Sequence, residues 1–206
     1  MKIKWLLPFG MIGVFSFLLL DMLGNILWIA YNPKTMYIST LFANEAPHVQ
    51  LMRFFMNTYT VCFLVFSFTM VVLSSRMYHL ITKLGYNIMF VAALISVIGY
   101  GGFPISMVDI LSRNNIVHLV VTISIICATV VSILLIAAGY LKKEYLISLG
   151  WISLVVGILI IAFNLWHLYA LLNSMDFLGL IERCIFYTFH YLTFKLSWHY
   201  TFNRDI

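Results

Sequence analysis

The sequence predicts an all-α, polytopic membrane helix bundle with six transmembrane helices, and three observations carry that prediction. First, 63% of the 206 residues are hydrophobic and only 9% are charged, where a soluble domain has roughly 45–50% and 25%. A soluble fold of this size has too little interior to hide that much apolar surface. Second, the apolar runs are continuous and lack the period-2 alternation of barrel strands. In lipid the backbone must satisfy its own hydrogen bonds, so such runs form helices. Third, the basic residues divide unequally between the two sides that six crossings define.

The six segments fall at about 5–31, 51–74, 84–104, 116–141, 145–172 and 177–200, each long enough to cross roughly 30 Å of hydrocarbon at 1.5 Å per residue. The first follows Lys2 and Lys4 and resembles a signal peptide at its start. It continues to Tyr31 with no small-residue cleavage site after it, so it reads as the first membrane helix. No polar stretch is long enough for a soluble domain, and 1–206 reads as a single six-helix domain. With the N-terminus inside, eight of the twelve Lys and Arg residues (Lys2, Lys4, Arg76, Lys83, Lys142, Lys143, Lys195 and Arg204) lie on the cytoplasmic side. Of the seven acidic residues, five lie at mid-depth or outside: Asp21, Glu45, Asp109, Asp176 and Glu182. This asymmetry predicts N-in and C-in topology in a cell membrane. The same placement reads the net charge of +5 as helix-end and headgroup contacts and argues against nucleic acid as a partner.

The connections differ in kind. The cytoplasmic ones are short and basic, as in Lys142-Lys143-Glu144. The first outer one is long, opens with the turn signal Asn32-Pro33 and has Pro47 near its end. Within it Tyr37, Ile38, Leu41 and Phe42 share one face of a short helix, which either lies on the outer surface toward lipid or gives way to an irregular loop over the bundle mouth. Asn25-Ile26-Leu27-Trp28 and Asn164-Leu165-Trp166 echo each other too briefly to make a repeat. Gly99, Gly101 and Gly102 before Pro104 read as the end of the third helix. Cys62, Cys127 and Cys184 stand alone in apolar segments as small buried residues, and the five Trp lie near helix ends as an interfacial belt.

Polar residues inside the spans are the candidate site. A charged group at the bilayer centre costs about 2.5–3.5 kcal/mol on insertion scales, so it needs a partner or a task. Asp21 is placed near the midplane, with Asn25 at i+4 on the same face. Asn57 lies in the outer part of the second helix, Asp109 in the outer turn after the third, and His118 at the start of the fourth. Asn164 and His167 share a face of the fifth, and Glu182 and Arg183 enter the sixth about one and a half turns deep, with His190 on the Arg183 stripe. Most share the outer half of the membrane. They therefore predict an outward-facing polar pocket that binds a lipid or another amphipathic small molecule. The alternative for Asn25, Asn57 and Asn164 is packing glue between helices, and Arg183 has Asp21 or Glu182 as its natural counter-ion. Direct pairing of Arg183 with Glu182 is the harder case, because neighbours on a helix do not face each other.

Other chemistries find little footing. His118, His167 and a carboxylate have no short metal-ligand spacing, so no metal is assigned. Ser39 and Ser106 lack a nucleophile-elbow setting, and no phosphate-binding or dinucleotide motif implies a cofactor. Two further readings stand beside the pocket. One is a regulatory or scaffold protein whose basic face around Arg76, His79, Lys83, Lys142 and Lys143 holds a cytoplasmic partner. The other is a membrane-embedded lipid hydrolase or transferase using Asp21, His118, His167 and Glu182. Whether the chain is an enzyme stays open at this level.

Tyr37-Ile38-Ser39-Thr40-Leu41 through Ala46-Pro47, Phe103-Pro104 with Asp109 and then His118, and Gly179-Leu180-x-Glu182-Arg183 resemble the bacterial domain-of-unknown-function 998 membrane family. That family is distantly similar to the Frag/DRAM/Sfk group of six-helix proteins. The resemblance covers nearly the whole chain and implies one six-helix domain with its polar motifs on one side. Relatives in the wider group linked to lipid-anchor remodelling imply a lipid ligand. The family pattern has a further outer-side His or Asp near the Phe-Pro turn. Here Ile105 and Ser106 follow Pro104, which weakens an inherited catalytic role.

The topology has a direct test. In a background with the three native cysteines replaced, a cysteine at Lys34 or Asp176 is expected to react with an impermeant thiol reagent from outside, and one at Arg76 or Lys143 is not. The reverse pattern would invert the bundle.

Overall fold

A computed structural model describes residues 2–103 and 112–203; Pro104, Ile105, Ser106, Asp109 and Arg204 lie outside the described residues. Among those described, the chain is all-α: α1 (Phe9–Leu27), α2 (Val49–Met77), α3 (Leu80–Gly102), α4 (Arg113–Lys142), α5 (Ile147–Leu172) and α6 (Leu178–Phe202), with 3-10 turns at Lys2–Leu6 and Ile38–Phe42. The six helices match the six expected segments. Five regions, Ile3–Leu27, Val49–Met77, Leu80–Tyr100, Arg113–Lys142 and Ile147–Leu172, are long and apolar enough to cross a membrane, which makes this a multi-pass membrane protein. The remaining helix, α6, has 25 residues and carries Glu182, Arg183 and Lys195. Short turns after α2, α4 and α5 make successive helices antiparallel neighbours, and α6 packs back against α1 to close the bundle.

Local chemistry sets the boundaries. Pro8 has no N–H to give and stands at the entry of α1, where that loss is harmless. The preceding residues form a 3-10 turn, so α1 begins four residues later than its apolar run. It ends at Leu27 because Trp28 turns extended. That shortening moves Asp21 from the expected midplane to about 9 Å from the helix end, at 1.5 Å per residue. At α4, the Ser112 hydroxyl accepts the Asn115 N–H at 3.2 Å, a cap that starts the helix at Arg113 rather than 116.

The connection 28–48 covers one end of the bundle, here the capped end. Its 3-10 turn does not present its apolar face to lipid. Ile38, Leu41 and Phe42 are buried against the bundle. Gly24 makes room for this, since a Cβ there would come within 2.6 Å of a Leu41 methyl.

At the opposite end the interior is filled by tyrosines. The hydroxyls of Tyr86, Tyr140, Tyr200 and Tyr78 form a hydrogen-bonded row, with Tyr78 and Tyr200 at 2.6 Å. Beside them Glu144 accepts the His79 backbone N–H at 2.7 Å and the Thr82 hydroxyl at 2.9 Å, an acidic cap on the N-terminus of α3. Serines join helices along the middle: Ser16 donates to the Phe55 carbonyl at 2.8 Å, Ser132 to Gly85 at 2.9 Å and Ser197 to Leu7 at 2.6 Å. Each gives a buried hydroxyl an acceptor that lipid cannot supply. His190 belongs to this middle layer, stacked on Phe17 at 4.2 Å between ring centroids, rather than to the polar stripe of Arg183. Cys127 is exposed on α4 and Cys184 half-buried, which leaves only Cys62 as the small core residue expected of all three.

Candidate functional site

The capped end gathers its polar side chains from α1, α6 and the connection between α1 and α2. Successive residues on a helix point about 100° apart, so Glu182 and Arg183 serve different neighbours. Arg183 turns toward α1. Its Nη2 and Nε donate to the two Asp21 oxygens at 2.7 and 3.2 Å, a bidentate ion pair. Nη1 donates to the carbonyls of Pro33, Met36 and Gly179 at 2.7, 3.1 and 3.0 Å, and Nη2 also reaches the Tyr31 hydroxyl at 2.5 Å. Tyr187 donates its hydroxyl to Asp21. Asp21 and Arg183 are each only 6% exposed.

Tyr31 fits this arrangement as a neutral phenol. Burial pushes its pKa up to about 12, and the Arg183 bond and charge offset only part of that rise. It therefore accepts from Arg183 while donating to the Tyr37 carbonyl at 3.1 Å. Gly179 lets the connection approach α6 this closely: a Cβ there would meet the Met36 carbonyl and come within 2.9 Å of the Pro33 oxygen. The guanidinium thus fastens the connection to both terminal helices, and Asp21 balances its charge. This part of the site holds the capped end together.

Glu182 faces the other way. Its Oε2 accepts the Ile38 backbone N–H at 2.5 Å, and among the described residues no cation pairs with it. The Tyr37 phenol stands close enough that burial, and then the Glu182 charge, raise its pKa. The ring of Tyr37 lies 5.7 Å from that of His167 on α5. On the α3 side, Tyr100 is within electrostatic range of Glu182 and its ring lies 4.9 Å from that of His118. His118 Nδ1 is 3.3 Å from the Phe103 carbonyl. Two ring pairs, His167 with Tyr37 and Tyr100 with His118, and Glu182 bonded to the connection at Ile38, thus make up a polar row at the capped end, with members from α5, the connection, α6, α3 and α4.

The nine residues singled out by sequence distribute unevenly. Asp21 and Arg183 form the ion pair, and Glu182, His118 and His167 form the row. Asn25 is exposed on α1 despite its i+4 relation to Asp21. Asn164 bonds back to the Ile160 carbonyl at 2.8 Å. Asn57 lines a separate cavity between α2 and α3. Asp109 lies outside the described residues. Tyr31, Tyr37, Tyr100 and Tyr187 are not among the nine, because a phenol in an apolar segment carries no charge to mark it, and Tyr37 reads only as part of the apolar face with Ile38, Leu41 and Phe42. The Asn32-Pro33 turn is the one signal that the connection folds back, and it bears on Tyr31 and Tyr37 alone. Among the described residues no three His, Cys, Asp or Glu side chains come together as metal ligands would.

The halves of α4 and α5 nearest the row bury few side chains. From Arg113 to Val131, His118 is the sole buried residue on α4, whereas Ser132, Ile133, Ile136, Ala137, Gly139 and Tyr140 are buried beyond it. On α5 only Ala170 is buried past Ile160. The bundle is close-packed at its tyrosine end, whereas α4 and α5 bury few side chains at its capped end. A groove of about 540 Å³ lies elsewhere, between α5 and α6, where its apolar walls include Trp151, Val155 and Leu159. It contains none of the row.

Removing Arg183 strands the Asp21 carboxylate, and breaking a buried pair in this way costs about 3–5 kcal/mol. Arg183→Ala is expected to lower the thermal midpoint in detergent far more than Lys34→Ala at the same end, and Arg183→Lys to recover little, because one ammonium cannot replace the fork. Equal midpoints for the Arg183 and Lys34 variants would contradict this role.

No curated protein and no solved structure matches the chain. The polar motifs that build the ion pair and the row, Tyr37 to Pro47 and Gly179 to Arg183, fall within a family match that runs over residues 11–199. With that match covering nearly its whole length, the chain belongs to the family described as "Protein of unknown function (DUF998)".

Proposed function

We propose that this protein binds a lipid or another amphipathic small molecule at the capped end, with the polar group beside Glu182, His118 and His167 and the apolar part between α4 and α5. The observation that supports this reading is the position of the row at the sparsely buried ends of α4 and α5. An acidic group without a cation partner, two imidazoles and two phenol rings stand where α4 and α5 bury least. Charged groups at membrane depth without a structural partner mark functional sites by default. Glu182 accepts hydrogen bonds from a hydroxyl or ammonium head, His118 accepts at Nε2 because its Nδ1–H faces the Phe103 carbonyl, His167 donates and accepts, and the faces of Tyr37 and Tyr100 attract cations and apolar chains alike.

The ligand is a membrane lipid on this reading, and the capped end faces outward in a cell membrane with both termini in the cytoplasm, as the distribution of Lys and Arg favours. Ion-paired Asp21 and Arg183 hold the connection in place over the site, and contribute structure rather than contact with the ligand. The arrangement needs no chemical step, and binding alone accounts for it.

Native mass spectrometry of the purified protein tests the reading. Wild type and Asp176→Asn are expected to retain a lipid, while Glu182→Gln and His167→Phe lose most of it with the fold intact by circular dichroism. If all four retain the same amount, or none retains any, the site does not bind lipid. The basic face around Arg76, Lys83, Lys142 and Lys143, holding a soluble partner, then becomes the better account.

A further inference from the structure

A second polar cavity, of about 120 Å³, lies between α2 and α3 beneath Phe42 and is lined by Arg53, Asn57, Thr60, Ser96 and Tyr100. Its chemistry is one-sided. Arg53 supplies a guanidinium whose Nε donates to the Phe42 carbonyl at 3.2 Å and whose Nη2 donates to Asn44 Oδ1 at 2.7 Å. Among the described residues no carboxylate lies within ion-pair distance of it. Ser96 is only 8% exposed, lines the cavity and has no hydrogen-bond partner among the described residues. A serine inside a helix ordinarily bonds back to a carbonyl one turn earlier, as Ser67, Ser74 and Ser75 do here. The Asn57 side chain likewise has no bond to another described residue.

The lining therefore holds a cation, an amide, two aliphatic hydroxyls and the Tyr100 phenol, and no acid among the described residues. Asn57 is exposed and Arg53 half-buried, but Ser96 is buried, and a buried donor in an apolar bundle is costly unless something accepts from it. The volume holds about four waters at roughly 30 Å³ each, or one tetrahedral oxyanion. Arg53 lies four residues into α2, about 6 Å from the helix end at 1.5 Å per residue, the depth at which lipid headgroups and bulk water are both in reach.

We infer that this cavity is an oxyanion site that takes a phosphate group, with Arg53 as its counter-charge and Asn57 and Ser96 as hydrogen-bond donors. The phosphate is either free or carried on a lipid headgroup. The site is separate from the row at Glu182, although Tyr100 forms a wall of one and a member of the other.

The experiment uses the full chain with two probes. Inorganic phosphate is titrated into the detergent-solubilised protein and followed by thermal unfolding. Separately, the protein is assembled in nanodiscs of phosphatidylglycerol and phosphatidylcholine, and bound lipid is read by native mass spectrometry. Free phosphate as ligand predicts that phosphate raises the midpoint of wild type and Lys34→Gln but not of Arg53→Gln. A lipid headgroup predicts instead that wild type and Lys34→Gln retain phosphatidylglycerol preferentially and Arg53→Gln does not. A hydrogen bond to a charged group is worth about 1.5–3 kcal/mol, so Ser96→Ala is expected to weaken either response by about tenfold or more. If Arg53→Gln does not fold, Ser96→Ala and Asn57→Leu carry the test. Responses to both probes that are absent in wild type, or unchanged in the folded variants, overturn the site and leave it a water-filled cavity.

Discussion

A guanidinium inside an apolar bundle needs an acceptor for each of its N–H groups, and that need organises the capped end. Arg183 finds its acceptors in Asp21, Tyr31 and the carbonyls of Pro33, Met36 and Gly179. No single element supplies them all. The requirement brings α1, α6 and the connection between α1 and α2 to one point, and the connection then covers the bundle. Desolvation makes such a pair a doubtful source of net stability. Its structural effect is specificity: once the charge is buried, one arrangement of the three elements satisfies it. Glu182 follows as a consequence, because fixing Arg183 against α1 turns its neighbour toward α5 and α3.

The two ends of the bundle solve the burial of polar groups differently. At the tyrosine end the phenols of Tyr78, Tyr86, Tyr140 and Tyr200 satisfy one another within a filled interior. At the capped end the polar groups are divided among the ion pair, the row at Glu182 and the cavity at Arg53. The first is saturated with partners, whereas the other two have donors or acceptors left over. Spare hydrogen-bonding capacity beside sparsely buried helices is what a binding site requires before its ligand arrives; at the tyrosine end the Ser153 and Thr201 hydroxyls are also without a partner among the described residues, but they stand within a filled interior.

Much of the fold was legible in the sequence because apolar length is a strong signal in lipid. Six segments appeared as six helices, and errors were confined to their ends. Pro8 and Ser112 moved two helix starts, and both are recognised boundary chemistries that hydropathy alone passes over. The site was legible in part. Arg183 needed a counter-ion, Asp21 or Glu182, with Glu182 the harder case, and the structure gives it Asp21. Depth alone grouped Asn25, Asn57 and Asn164 with the charged residues. Depth does not fix the direction in which a side chain faces, and these three face lipid, a different cavity and their own helix. The tyrosines were hidden for a different reason: a phenol among apolar residues has no charge to mark it, and its hydrogen-bond partners appear only in the folded bundle.

The central claim is that the Asp21–Arg183 pair holds the connection onto the bundle. Hydrogen–deuterium exchange over residues 31–42 tests it most directly, with the protein in nanodiscs and wild type compared with Asp21→Asn. If the pair fastens the connection, amides such as Ile38, which donates to Glu182, are protected in wild type and exchange faster in the variant, while α2 and α3 are unchanged. Equal protection of residues 31–42 in the two proteins would show that the apolar contacts of Ile38, Leu41 and Phe42 suffice and that the buried pair is not what the capped end depends on.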